Sequence, residues 1–181
     1  MKAYPKLVAD IGGTNIRFGL VRGQQTVTDV IALRCADFSG PAEAAQEYLQ
    51  QSALSQGTLQ QAAFAVASPV VGDPIKFTNS AWSFERASVA RVLGIQTLRV
   101  LNDFEALAHA LPGLAAGDYQ TIGKTRPSPT LPMVVIGPGT GLGVAGMIPD
   151  RHGWTVVPGE GGHATLAAAD DFEAEILRAA R

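Results

Sequence analysis

The sequence predicts an α/β protein, a three-layer unit followed by the opening strands of a second α/β unit. Three observations predict it. Apolar segments run in the order strand, strand, strand, helix, strand, helix, strand, helix, and then strand again. The helical segments carry stripes at i, i+3, i+4 spacing, whereas the strand segments are short and bounded by Gly and Pro. The arrangement strand, glycine turn, strand occurs at 6–20 and again at 132–147. This order is that of a ribonuclease-H-like unit.

The first three strands, Lys6–Asp10, Ile16–Val21 and Val27–Arg34, are separated by Gly12-Gly13 and by Gly23-Gln24-Gln25 and read as an antiparallel meander. Gly40-Pro41 opens a helix whose Ala44, Ala45, Tyr48, Leu49 and Ala53 share one face, with Gly57 at its far end. Ala62–Ala67 is a compact strand stopped by Pro69, and Ile75–Thr78 is a short strand after Gly72-Asp73-Pro74. Ser83–Leu93 reads as a helix ended by Gly94, and Leu98–Leu101 as a strand that feeds Asn102-Asp103.

The next helix has the clearest stripe, Phe104, Leu107, Ala108 and Leu111, and stops at Pro112-Gly113. The Gly/Pro/Ser/Thr-rich stretch 112–132 is the expected link between two domains, 1–112 and 113–181. Beyond it Met133–Ile136 reads as a buried strand, flanked by antiparallel Leu142–Ile148 and Thr155–Val157. Asp170 or Asp171 caps a last helix, with Glu173 in capping-box position for Asp170 and a stripe of Phe172, Ile176, Leu177 and Ala180. That stripe meets no Gly, Asn or Pro stop, so the chain is expected to be the N-terminal portion of a longer polypeptide.

Of 181 residues, 46% are hydrophobic and 17% charged, the balance of a buried globular protein. A net charge of -2 provides no basic field for nucleic acid or an anionic membrane, so a polyanion has to be held locally by amides and metal. The single cysteine, Cys35, excludes an intrachain disulfide and a cysteine-rich zinc site. The first residues lack a signal-peptide core, and the apolar stretch 133–148 is cut by Pro138 and five glycines. A cytoplasmic protein is expected.

Gly12-Gly13 and Gly137-Pro138-Gly139-Thr140-Gly141-Leu142-Gly143 place backbone without side chains beside small hydroxyls, where N–H groups can approach phosphate oxygens. A glycine pair alone is more often a plain strand-to-strand turn. Asp10 before it, Thr14-Asn15 after it and Thr140 in the second turn favour phosphate binding, with Asp10 placed for Mg2+ or its water shell. Arg17 alternates onto the face of Asn15 and reaches either the phosphates or solvent.

Asp103 stands on the first turn of the best helix, as a plain cap or as a carboxylate kept ionised by the helix N-terminus and ready to accept a hydroxyl proton. Glu160 and His163, in Pro158-Gly159-Glu160-Gly161-Gly162-His163, suit recognition of vicinal hydroxyls. Trp82 either walls a pocket or belongs to the core.

Five ordered motifs now match a family: Asp10–Asn15, Thr78-Asn79-Ser80-Ala81-Trp82, Leu101-Asn102-Asp103-Phe104, Gly137–Gly143 and Pro158–His163. Together they resemble bacterial glucokinase, of the actin/hexokinase/Hsp70 superfamily, from residue 6 to the end. The resemblance implies an actin-like ATPase fold and phosphorylation of D-glucose by ATP, with Mg2+, to glucose 6-phosphate at the entry to glycolysis.

It implies Asp103 as the base for the sugar 6-hydroxyl, and Asn102, Glu160, His163 and Asn79 as sugar ligands. Ala9, Asp10, Ile11, Gly12, Gly13 and Thr14, followed by Asn15 and Arg17, resemble the first ATP-phosphate loop, and Thr140-Gly141 the second, with Asp10 holding Mg2+ through water. A homodimer is implied for the full-length protein. The related repressor/kinase group of sugar kinases shares the glycine turns but usually adds a cysteine-rich zinc motif after the histidine, which this sequence lacks. A kinase for another hexose, or a non-catalytic sugar or phosphate binder, are the alternatives.

Overall fold

Alternation along the first strands decides which side of the sheet becomes the core. Leu7, Ala9 and Ile11 of β1 (Lys6–Ile11) and Ile16, Phe18 and Leu20 of β2 (Asn15–Arg22) are all buried, and period-2 geometry puts them on one face. The computed structural model describes residues 5–23, 26–52, 54, 57–78, 80–124, 128, 130–138, 141–165 and 167–180.

β1, β2 and β3 (Thr26–Arg34) form the expected antiparallel meander. α1 (Pro41–Gln51) follows, with Pro in its first turn, and buries Ala44, Ala45 and Tyr48 against the core face, where Tyr48 stacks on Phe18 at 5.2 Å. Ala53, expected on the same stripe, lies outside the described residues. β4 (Gln61–Val66) leads to a short hairpin, β5 (Ile75–Lys76) and β6 (Ser83–Phe84).

That hairpin corrects the helix expected from Ser83. Ser83 and Phe84 pair with Lys76 and Ile75, Glu85 stays extended, and α2 spans only Arg86–Leu93. Gly94 ends it at φ +65, in the left-handed region expected of a C-cap glycine.

β7 (Thr97–Asn102) completes a five-stranded sheet ordered β3-β2-β1-β4-β7, in which β1, β4 and β7 are parallel. α3 (Asp103–Ala110) starts directly at the end of β7. Its predicted stripe is half right, since Ala108 is buried while Leu107 is exposed.

A second, antiparallel sheet holds β8 (Met133–Pro138), β9 (Leu142–Asp150) and β10 (Gly153–Gly159). α3 packs against all three of its strands as well as against β4 and β7, and so lies between the sheets. β8 was expected to be buried, yet it alternates, with Val134 and Ile136 59% and 61% exposed. One face of its sheet meets α3, around Ala145 and Met147, and the other is uncovered among the described residues.

α4 (Asp171–Ala179) begins at Asp170, whose carboxylate accepts the Glu173 N–H at 2.8 Å. Glu173 reaches back to the Ala169 N–H at 2.7 Å rather than to that of Asp170, so the capping box is displaced by one residue. Its apolar residues Phe172 and Ile176 are exposed. Among the described residues no helix is long and apolar enough to cross a membrane.

Candidate active site

The three parallel strands end level with one another. Ile11 pairs with Val66 and Val66 with Asn102, so at one strand spacing each the ends of β1 and β7 are about 10 Å apart. Three segments leave this shared edge: the first glycine turn, Ala67-Ser68, and the start of α3.

The turn is fixed from within and from the side. The Gly12 N–H donates to the Asn15 carbonyl at 3.0 Å, the Cys35 N–H to the Thr14 carbonyl at 2.8 Å, and the Cys35 thiol to the Gly12 carbonyl at 3.3 Å. Burial pushes the Cys35 thiol pKa up, which keeps it a neutral donor. Gly12 does not use the left-handed region, and a Cβ there would meet only the Asn15 carbonyl, at 3.4 Å. The fold therefore does not require glycine at 12. What its absent side chain leaves is an approach to the turn from outside.

Gly13, Thr14 and Asn15 are exposed around that approach, whereas Ala9 and Ile11 point into the core and contribute only backbone. Asp10 and Arg17 are register partners and form an ion pair at 3.2 Å, with side chains 58% and 66% exposed. Arg17 thus reaches Asp10, and an exposed pair of this kind holds its partners weakly.

The helix cap belongs to Asn102 and not to Asp103. Asn102 Oδ1 accepts the Phe104 N–H at 2.9 Å and the Glu105 N–H at 3.3 Å, while the Glu105 carboxylate accepts the Asn102 N–H at 3.4 Å. Capping by the neighbour leaves Asp103 with one oxygen on the Phe104 N–H, at 2.9 Å. The helix N-terminus favours the ionised form of Asp103, as expected, but is not the largest influence on it. Burial raises the Asp103 pKa most and the Asp10 charge raises it further, outweighing the Phe104 N–H that lowers it.

The second glycine turn does something the sequence did not show. Gly137 and Gly143 face each other across β8 and β9, and the Phe104 ring fills the space beside both. A Cβ on Gly137 would lie 2.5 Å from Phe104 Cζ, and one on Gly143 would overlap the ring. These two glycines are needed for packing. Thr140 lies outside the described residues, and Gly141 is exposed.

Gly161 and Gly162 bring their loop onto the Leu142–Val144 stretch of β9, where a Cβ on Gly161 would meet the Leu142 carbonyl at 3.0 Å. The loop carries Glu160 and His163 as a pair, Oε2 to Nδ1 at 3.7 Å, with His163 82% exposed. Among the described residues no hydrogen bond or ion pair joins them to Asn102 or Asp103. Asn79 lies outside the described residues. Trp82 packs edge-on to Phe77 at 5.8 Å and belongs to the core.

Among the described residues no three His, Cys, Asp or Glu side chains gather into a metal cage. A lone exposed carboxylate such as Asp10 suits Mg2+, which keeps most of its water and takes its remaining ligands from phosphate oxygens.

A sequence model of the Glucokinase family matches residues 7–181. The chain belongs to the glucokinase family. It is 45% identical to the glucokinase of Paramagnetospirillum magneticum over 172 residues, which is 94% of this chain and 53% of that protein. The chain spans about half the length of the curated glucokinases it matches.

A glucokinase crystal structure from an Antarctic psychrotroph superimposes with a TM-score of 0.83 at 32% identity, over 97% of this chain and 56% of that one. A ROK family glucokinase from Streptomyces griseus, solved with glucose and AMPPNP, superimposes with a TM-score of 0.63 at 20% identity, over 90% and 51%. The ribonuclease-H-like plan read from the order of elements, and the actin-like ATPase fold that the resemblance implied, are therefore the fold of this glucokinase-family chain.

Sequence reasoning missed Ser68, Cys35 and the role of Phe104. The only signals were a small hydroxyl closing an apolar strand, and a cysteine noted for what it excludes.

Proposed function

We propose that this chain carries the phosphate turns, the base and part of the sugar site of an ATP-dependent glucokinase. The observation that supports this most is Asp103. It is a half-buried carboxylate that is relieved of capping by Asn102, made more basic by burial and by Asp10, and level with the first phosphate turn.

In this reading Asp103 accepts the proton of the glucose 6-hydroxyl as that oxygen attacks the γ-phosphorus of ATP, and ADP leaves with the electrons of the broken P–O bond. Asn102 spends its Oδ1 on the cap and one Nδ2 hydrogen on Ser68, and its amide also hydrogen-bonds Asp103, a bond that a sugar hydroxyl would share or replace. Glu160 accepts from neighbouring hydroxyls and His163 donates or accepts, and Asn79 adds a further contact.

The backbone of Ala9–Thr14, with Asn15 and Arg17 beside it, and Thr140-Gly141 hold the ATP phosphates. Asp10 orients Mg2+ through water, and bound Mg2+ would supply charge neutralisation of the phosphates. Units 1–112 and 113–181 act as domains that flex at 112–132, and the complete protein is a cytoplasmic homodimer.

A coupled assay on the complete polypeptide reads this directly, as glucose-dependent ADP formation that needs Mg2+. Absence of turnover with glucose would overturn the reading. Faster turnover with mannose or N-acetylmannosamine would move it to another hexose.

A further inference from the structure

Ser68 is the one buried polar residue among those described, 3% exposed at the end of an apolar strand. A hydroxyl so placed has to be hydrogen-bonded, and its partners come from separate parts of the chain. Its Oγ accepts the Thr78 N–H at 2.9 Å, and its carbonyl accepts Asn102 Nδ2 at 3.3 Å. The residue before it, Ala67, donates its N–H to the carbonyl of Ile11 at 3.1 Å, where the first glycine turn begins. Ala67-Ser68 therefore ties together the phosphate turn, the segment at Thr78 and the cap of the helix that starts with Asp103.

We propose that Ser68 is a positioning residue for the sugar site, holding Thr78 and Asn102 in fixed relation across the end of β4. This deepens the glucokinase reading and rests on it. Only the tie to Thr78 uses the Ser68 side chain, since the ties to Ile11 and Asn102 end on backbone atoms of residues 67 and 68. Replacing it by a methyl leaves the Thr78 N–H without its partner and frees that segment, while the Ala67 tie to the nucleotide turn stays intact. The defect should therefore fall on the sugar and spare the nucleotide. A general loss of packing would affect both.

The test compares Ser68→Ala and Ser68→Thr with the unaltered chain. In the complete polypeptide Ser68→Ala should raise the KM for glucose about tenfold, the effect of one lost hydrogen bond at a partly desolvated site, with the KM for ATP within about twofold. Ser68→Thr, which keeps the hydroxyl, should restore the glucose KM.

Amide exchange on this chain supplies a readout independent of activity. The Thr78 amide should exchange about tenfold faster in Ser68→Ala and at the original rate in Ser68→Thr. If Ser68→Ala does not fold, Ser68→Cys, of similar volume and weaker as an acceptor, should fall between the two. Unchanged Thr78 exchange, or equal weakening of glucose and ATP, overturns the proposal. An unaltered polypeptide that does not turn over glucose overturns the proposed function instead, and the positioning of Thr78 by Ser68 is then decided by exchange alone.

Discussion

The ring of Phe104 occupies the space that a side chain on Gly143 would need, with Gly137 opposite on the neighbouring strand. Through this contact the residue next to Asp103 rests on the second sheet. Gly143→Ala should therefore destabilise the chain by about 1–3 kcal/mol, the usual penalty for overpacking. In a Phe104→Ala background the same change should lose most of its penalty. Urea unfolding of the four chains of this cycle measures the coupling, and a Gly143→Ala effect that ignores Phe104 would refute the contact.

Gly12 contrasts with Gly143, because its backbone is unstrained and a Cβ would fit. Gly12→Ala is expected to leave stability within about 1 kcal/mol of the original. It should weaken AMPPNP binding by about tenfold or more, through lost access to amides that bind charged oxygens. Thermal melts and calorimetry together check this, and unaltered nucleotide affinity would remove Gly12 from the phosphate site.

Asp103→Asn keeps the acceptor for the Phe104 N–H and removes the base. Turnover of the complete polypeptide should fall about 100- to 10,000-fold with little change in glucose affinity. The same variant should be more stable at neutral pH. The folded-state pKa of Asp103 is raised, so the folded chain binds more protons than the unfolded one between the ordinary aspartate value and the raised one, and stability falls as pH climbs through that window. The stability gain of Asp103→Asn should therefore vanish below about pH 4. A gain that persists in acid would refute this origin.

Tyr48 sets an alkaline limit. Its hydroxyl is buried and donates to the Asp29 carbonyl at 2.9 Å, where Asp29 stands at φ +54. Burial, and then the Asp29 charge, push its pKa up to about 12 against the pull of Arg22. An unfolded tyrosine ionises near pH 10, at about the reference value, so above it the folded chain holds a proton that the unfolded chain has lost, and stability drops with rising pH. Tyr48→Phe should lower neutral stability by about 1 kcal/mol and flatten the alkaline fall. Melting curves from pH 8 to 12 read both effects.

The elements were legible where one local rule sufficed. Glycine turns between apolar runs marked the meander of β1, β2 and β3, and a left-handed Gly94 ended its helix. Roles that depend on distant partners were not legible. Nothing near Gly143 in sequence announces Phe104, and the strand at Ser83–Phe84 exists because Ile75–Lys76 pairs with it.

The candidate site was legible as a set of motifs and partly as geometry. Asn102 and Asp103 were both singled out, but which of them caps the helix depends on the rotamers of two adjacent short side chains. Ser68 gave almost no sequence signal, since its importance lies in what it joins.

Because Ile11, Val66 and Asn102 stand in one row, the first turn, Ser68 and Asp103 owe their alignment to strand pairing. Adding or deleting one residue inside β4 would slide its end by about 3.3 Å and turn every side chain to the opposite face. Ser68 would then be carried away from both Thr78 and Asn102. An added or deleted residue is consequently expected to be tolerated only in loops, and 114–132, with no strand or helix among its described residues, is the stretch best able to absorb it.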